Sequence, residues 1–464
     1  MPLTAEDLEK THPDYNALEQ RRRVCRDLLG GTDAMREAGV EYLPQEEAEE
    51  HKDYQRRLDR SFLYNGFAKT VANLTGRVFD HPVSVEGHAK YEEWAANITN
   101  SGQDLETFAA QVFKTGVSEG MAFILVDYPV VSEDEGPTDN YDAMKSAARP
   151  YMCEIKPQDL YWWWVVNNEG EQVLTEIAWK DTYVDRKTGR RMNQIRTWER
   201  GGIWQIWRKP SAAVNTPEQW VISSEGSADP VTEIPLVAIY FGRKTHSLGA
   251  EPPLRDLADM NVEHWQSDSD QRHVLHVARV PVLVTKGLMQ DGKPQKVVIG
   301  VNRSLNLPAD GDAFYLEHTG RAIEAGEKDL QKIESRMAAM GISLLLAQRP
   351  GDMTATEKAI GKAAEESALQ VMAKACKAGL EQAFAFMGAW VPEAVGGAMP
   401  VVTMNTEYDM VINDAAELQS IDNDRDRGDI SRETMWEEKK RRGIYGKDFT
   451  TERENARLDT EPPV

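Results

Sequence analysis

Between Arg321 and Leu346 the apolar and small residues fall on one line. Ile323, Gly326, Leu330, Ile333, Met337, Met340 and Leu344 follow one another at intervals of 3, 4, 3, 4, 3 and 4. An α-helix turns once in about 3.6 residues, so this set forms a narrow stripe rather than the broad face of a globular core helix. A stripe of this width is the seam of a helix that packs against other helices. The remaining faces carry four bases and four acids, which suits them to water. At 1.5 Å per residue the helix is about 40 Å long.

What flanks this helix is equally regular. Pro350-Gly351 breaks it, and Thr354 or Thr356 is placed to cap an Ala-rich helix that follows, with Ile360, Ala364, Ser367, Val371, Ala375 and Ala378 on one face. Upstream, after Pro252-Pro253, a helix runs to about Val277. Its polar positions (Asp259, Glu263, Asp268, Asp270, Arg272) are too many for a buried core helix. Residues 278–320 between the two read as short strands, split by Asp291-Gly292 and Asp310-Gly311.

The first 252 residues predict a mixed body. Residues 14–29 are helical up to Gly30-Gly31, 54–79 read as a second helix, 103–118 as a third, and 122–129 as a buried strand. Residues 132–148 read as an acidic polar loop. Strand texture dominates 151–241, where eight of the twelve tryptophans lie between 162 and 220. Ile195 to Trp207 is a hairpin turning at Gly201-Gly202. Trp162, Trp163 and Trp164 offer either a sugar-stacking platform or aromatic filling for the two faces of a sheet. Residues 400–412 read as a strand returning to an earlier sheet, and Ser431 to Arg442 as a helix capped by Ser431 and closed by Gly443. The fold class is α+β.

Charge and chemistry narrow the function. The formal net charge is −22, which opposes general adhesion to nucleic acid or to an anionic membrane. No run of about 18 apolar residues occurs, so no membrane partner is expected. The opening residues are acidic and polar, unlike a secretory signal. Cys25, Cys153 and Cys376 lie far apart and are expected to be buried, reduced thiols. There is no phosphate-binding loop, no HExxH and no GxSxG, and Gly30-Gly31-Thr32 lacks the second glycine and lysine a phosphate loop needs. His264, His273 and His276 share a helix, but no thiol or carboxylate completes a metal set around them. Asp422, Asp424, Asp426 and Glu433 match positions of a calcium loop, yet Arg427 stands where glycine is required, so an acidic turn before the capped helix is the better reading. No catalytic residue, cofactor or metal is expected.

The order of these segments, with the strings HPDY (12–15), GVEYLP (39–44), YQRRLDRSFLYN (54–65), LEHTGRAI (316–323), DLQKIESRMAAMGISLLL (329–346), TEKAIGKAAEESALQ (356–370) and GDISRETMW (428–436), resembles the portal, or head-to-tail connector, proteins of tailed bacteriophages, particularly a siphophage-like group. The resemblance implies a homo-oligomeric ring, usually of twelve subunits, at one vertex of the capsid in the virion. The ring would be assembled in the bacterial host cytoplasm. Double-stranded DNA would pass through it during packaging and ejection. Its implied partners are the terminase large subunit, the major capsid and scaffolding proteins, and a head-tail adaptor.

The resemblance also divides the chain. Residues 1–252 with 396–412 would form the wing, 253–277 and 321–346 the two stem helices, and 278–320 the clip. Residues 347–355 would be the tunnel loop, 356–395 the long helix after it, and 413–464 the crown. It makes Ile323, Leu330, Ile333, Met337, Met340 and Leu344 candidates for the subunit interface. It makes Gln348, Arg349 and Asp352 candidates for touching DNA in the channel. In the clip, five bases stand against four acids, in contrast to the acidic chain as a whole. Lys286, Lys293, Lys296 and Arg303 are therefore candidate contacts to DNA, terminase or adaptor. Two alternatives stay open: another ring-forming or capsid-associated structural protein, and a carbohydrate-binding or glycoside-hydrolysing protein using the Trp-rich sheet. The last would need two carboxylates facing one cleft.

Overall fold

The computed structural model describes residues 3–129, 148–186, 188–209, 219–228, 231–279, 282–286, 289–290, 293–294, 311–316, 321–343, 367–406, 415–441, 444–445 and 449–458. The fold is α+β, as the sequence predicts, and it divides into two units, Met1–Thr406 and Glu407–Val464.

The first unit opens with helices. Helix α1 (Pro13–Ala38) has proline in its first turn and His12 as its cap, accepting from the Asp14 amide. It bends at Gly31, where φ is 78°, so the expected stop is a kink and the helix resumes. The stretch 54–79, read as one helix, is two: α2 (His51–Arg60) and α3 (Gly66–Val78). The break is made by Asn65, which leaves helical geometry and accepts from the Ala68 amide as an N-cap.

Strand β1 (Ser84–Glu86), helix α4 (Ala89–Ala95) and helix α5 (Leu105–Glu119) lead into β2 (Met121–Asp127). Every residue of β2 is buried because it is the central strand of a three-stranded antiparallel sheet, between β3 (Tyr151–Ile155) and β9 (Leu236–Tyr240). A five-stranded antiparallel sheet lies between β3 and β9 in sequence: β4 (Leu160–Asn168), β5 (Glu171–Val184), β6 (Arg191–Glu199), β7 (Ile203–Arg208) and β8 (Val221–Ser227), in that order. The predicted hairpin is β6–β7, with Trp198 opposite Trp204 and Glu199 opposite Ile203. Its turn needs Gly201 and Gly202, at φ 102° and 82°. The tryptophans fill the sheet: Trp163, Trp179, Trp198 and Trp207 are buried in one cluster with Tyr161, Ile177 and Ile195. Two short strands, β10 (Lys244–His246) and β11 (Gly249–Ala250), then lead to the helix pair described below.

After that pair, helix α8 (Ala368–Trp390) returns to the three-stranded sheet, preceding a short α9 (Pro392–Val395) and β16 (Val401–Thr403). Strand β16 pairs with β1, as the expected return strand does, with Val402 opposite Val85. Two expectations for α8 change. Its cap is Ser367, in a reciprocal box with Gln370; Thr354 and Thr356 lie outside the described residues, as do Ile360 and Ala364. Its buried face is Leu369, Met372, Ala373, Cys376, Leu380, Ala383, Phe384 and Met387, whereas Val371 is exposed. Gly379 sets that choice: a methyl there would run into Ile239 on β9, so the glycine face is the one that meets the sheet. Cys25 and Cys376 are buried as expected, while Cys153 is only partly so.

The second unit holds α10 (Ala415–Arg427), α11 (Arg432–Arg441) and α12 (Thr451–Leu458). Ser431 caps α11, accepting from the Thr434 amide at 3.0 Å. Trp436 and Phe449 meet edge to face, and Lys439 pairs with Asp422. Asp422, Asp424 and Asp426 lie within α10, so the expected acidic turn is a helix, ending at Gly428 with φ 80°. Gly443 and residues 132–147 of the loop expected at 132–148 lie outside the described residues.

Candidate functional site

Among the described residues, the segment between the body and its return helix holds helix α6 (Arg255–Ala278), strands β12 (Val282–Lys286), β13 (Met289–Gln290), β14 (Lys293–Pro294) and β15 (Asp312–Leu316), and helix α7 (Arg321–Ser343). Strands β12 and β15 pair antiparallel, Val284 opposite Phe314, and β13 pairs with β14. Two cross-links fix the helices as an antiparallel pair. The Gln271 amide donates to the Ile323 carbonyl at 2.8 Å, and seven residues earlier on α6 His264 Nε2 lies 3.2 Å from Glu334 Oε1, eleven residues later on α7.

Helix α6 is a core helix for much of its length, contrary to the expectation from its polar content. The buried residues Leu257, Ala258, Asn261, His264, Trp265 and Ser269 recur at helical spacing on one face, while Asp259, Glu263, Asp270 and Arg272 are exposed on the others. Several polar side chains of this helix bond to neighbouring segments, while His264 Nδ1 and Trp265 Nε1 are buried without a hydrogen-bond partner. Asn261 donates to the Tyr64 carbonyl at 2.9 Å and accepts from the Phe67 amide at 2.8 Å, so one side chain serves two backbone groups at the start of α3. Ser269 accepts from Ser61 at 2.9 Å, and Gln266 donates to the Tyr42 carbonyl at 2.9 Å. His264 packs its ring beside Tyr64, with centroids 5.1 Å apart.

The seam of α7 is closed by the same chain at its centre. Ile333 and Met337 retain 3% and 2% of their exposure, against α3 and α6. Met337 lies over Gly66, where an added methyl would sit 3.3 Å from its sulfur. A side chain covered this fully has no surface left for another copy, so these two residues hold the helix pair to the body. Gly326 lets the helices approach, since a methyl there would strike the Gln271 amide. Ile323, Leu330 and Met340 are partly exposed, and Leu344 lies outside the described residues.

Clefts lie on either side of the pair. One, of about 640 Å³, runs between α3 and α7 and is lined by Lys69, Arg77, Met337 and Gly341 among others. The other, of about 510 Å³, lies where the end of α2 meets α6 and α7, with Arg60, Arg272, His276 and Arg279 on its walls and Leu275 and Leu330 within it. Arg57 underpins this second cleft. Its guanidinium is buried, donates to Glu49 at 2.9 and 2.8 Å and to the Pro44 carbonyl at 2.8 Å, and holds the Glu49 carboxyl below its ordinary range.

The other sequence candidates are placed unevenly. Lys286 ends β12 and is exposed; Lys293 begins β14; Lys296, Arg303, Gln348, Arg349 and Asp352 lie outside the described residues. Of the three histidines, His264 is buried while His273 and His276 are exposed a few turns away, so they do not converge. Among the described residues, no group of three or more His, Cys, Asp or Glu side chains is placed to hold a metal ion, and no helix is long and apolar enough to cross a membrane. Trp162 and Trp164 stack with centroids 6.4 Å apart, and Trp162 donates to Glu176 at 2.8 Å. Asn261, His264, Trp265 and Ser269 were not singled out in the sequence as anchors. Their spacing along one face was the available signal, masked by reading polarity instead of period.

A family described as a domain of unknown function, DUF4055, matches residues 253–391, from just before α6 to just after α8. No curated protein matches the chain. Among solved structures, the chain is similar to one described as the neck of an empty GTA particle computed with C6 symmetry (14% identity, 82% of this chain and 90% of that chain, TM-score 0.42). It is also similar to a chain from the virion of a native gene transfer agent particle (12%, 82% and 89%, TM-score 0.42). A third is from the neck of a native GTA particle computed with C12 symmetry (13%, 80% and 88%, TM-score 0.41).

Proposed function

We propose that this chain is the repeating subunit of a phage-type portal: a ring at one capsid vertex through which DNA enters and leaves, with no chemistry of its own. The observation that carries the reading is the order in which the chain lays down its elements. A mixed body gives way to a helix, a small strand module, an antiparallel partner helix, and a helix and strand that return to the body. Of the strings that resemble portal proteins, HPDY, GVEYLP and YQRRLDRSFLYN lie in the body, and DLQKIESRMAAMGISLLL falls on the partner helix as far as Ser343. The anchoring of α6 and α7 supports it, because a conduit needs its helix pair held to the body by fixed cross-links rather than by a mobile tether.

In this reading the terminase large subunit docks during packaging, and head-completion or tail proteins follow. Light scattering on purified full-length chain tests the oligomer. A mass of about a dozen copies is expected for a ring of this kind, closed by head-to-tail contacts. A monomer at every concentration refutes the reading. The same preparation is expected to show no nucleotide turnover, and ATP hydrolysis abolished by one point substitution would equally overturn it.

A further inference from the structure

The centre of the α7 seam is consumed within one copy, so a ring has to close through other surface. We propose that the cleft between the end of α2 and the helices α6 and α7 receives an acidic segment of a second copy of this chain. This proposal rests on the ring reading. The cleft is a basic place on an acidic protein. Arg60, His276 and Arg279 are exposed on its walls and form no direct ion pair among the described residues, although Arg60 and His276 also border a hollow that holds Glu46, Glu49, Glu50, Asp53 and Asp270; the chain as a whole carries a net charge of −22. Any second copy therefore offers it complementary charge, and in a head-to-tail contact the patch meets a different surface of its neighbour rather than itself.

The lining distinguishes a peptide from nucleic acid. Leu275 and Leu330 are half-buried within the cleft and want an apolar partner. Cations around an apolar floor match a segment that alternates acidic and apolar side chains, the kind of motif that arginine clusters recognise. Arginine suits this better than lysine because its planar fork engages a carboxylate through two bonds.

The test compares wild-type chain with the double variant Arg60→Glu and Arg279→Glu, followed by light scattering over a dilution series and by circular dichroism. Both side chains are exposed, so the fold is expected to survive while the concentration for half-assembly rises about tenfold or more, since like charges are now opposed across the contact. The double variant Arg60→Lys and Arg279→Lys, which keeps charge and loses the fork, is expected to fall between the two. Rings of unchanged size and stability from the charge-reversed chain overturn the proposal and leave the ring reading standing. So does a charge-reversed ring that assembles normally but loses retention of duplex DNA, because the cleft then serves nucleic acid. A wild-type chain that never assembles removes both. Should the double reversal not fold, the single Arg279→Glu variant is read by the same criteria.

Discussion

The two ends of helix α6 differ in what covers them. From Leu257 to Ser269 its inner face is sealed, with Trp265 fully buried and Asn261 bonded to two backbone groups of the segment leading into α3. From Asp270 to Arg279 every described side chain is exposed or only partly covered, and the exposed ones include Arg272, His273, Val274 and His276. One helix thus carries a finished interface at one end and an open one at the other. The lesson is that periodicity locates an interface without saying who supplies the other side. In α7 the seam positions Ile333 and Met337 are met by the chain's own α3 and α6, whereas Leu330, one turn away, lines the open cleft.

Substitutions on the two sides of that boundary break the comparison most sharply. Ile333→Asp places an unpaired carboxylate in a dry site and is expected to cost about 3–5 kcal/mol of folding stability. Leu330→Asp, at a half-open site, is expected to cost about 1 kcal/mol or less in fold stability but to put an acid into the basic cleft and impede assembly. Urea denaturation and light scattering separate the two effects; equal folding losses would show that the boundary is drawn in the wrong place. On α6, Trp265→Ala is expected to lose about 3–5 kcal/mol through the cavity it leaves, against about 0.5 kcal/mol for Val274→Ala. Similar values for both would contradict the difference in burial.

How much of this was legible in the sequence depends on whether local chemistry decided the outcome. Gly201-Gly202 and Ser431 act on their own neighbours, so the β6–β7 hairpin and the cap of α11 could be read directly. The break at Asn65 and the cap at Ser367 were equally local, the second carrying a Ser-x-x-Gln signature, and were passed over for the stronger apolar periods around them. The buried face of α8 was not local. Gly379 chooses it through Ile239, a residue that only the sheet brings near. The anchors of α6 were hidden for the same reason: Asn261 and Ser269 look solvent-facing until the segment that leads into α3 supplies their partners.

Smaller effects sharpen the account of how α2 and α3 are held. Asn261→Ala leaves the Phe67 amide buried without a partner, while the Tyr64 carbonyl keeps the Gly66 amide; the cost is expected to be about 1–3 kcal/mol, and hydrogen exchange at Phe67 is expected to accelerate. Unchanged exchange there would mean Asn261 is not the anchor. The Arg57–Glu49 pair gives a pH signature. The guanidinium holds the Glu49 carboxyl below its ordinary 4.5, so the folded chain keeps that charge to lower pH than the unfolded chain does. The pair's contribution is therefore complete above pH 4.5 and is lost as the pH falls through the lowered folded value. Glu49→Gln is expected to reduce stability at neutral pH and to flatten that acid-side loss; an unchanged acid limb would assign it to other carboxylates.

The most direct test is a structure of the assembled full-length protein by electron cryomicroscopy. The account predicts a ring with a central hole in which Ile333 and Met337 remain covered by their own chain. In that ring Arg60 and Arg279 of each copy lie within about 4 Å of carboxylates from the next, the distance of a direct ion pair. Compact monomers, or a ring in which the α2–α6–α7 cleft stands open to solvent, would contradict it.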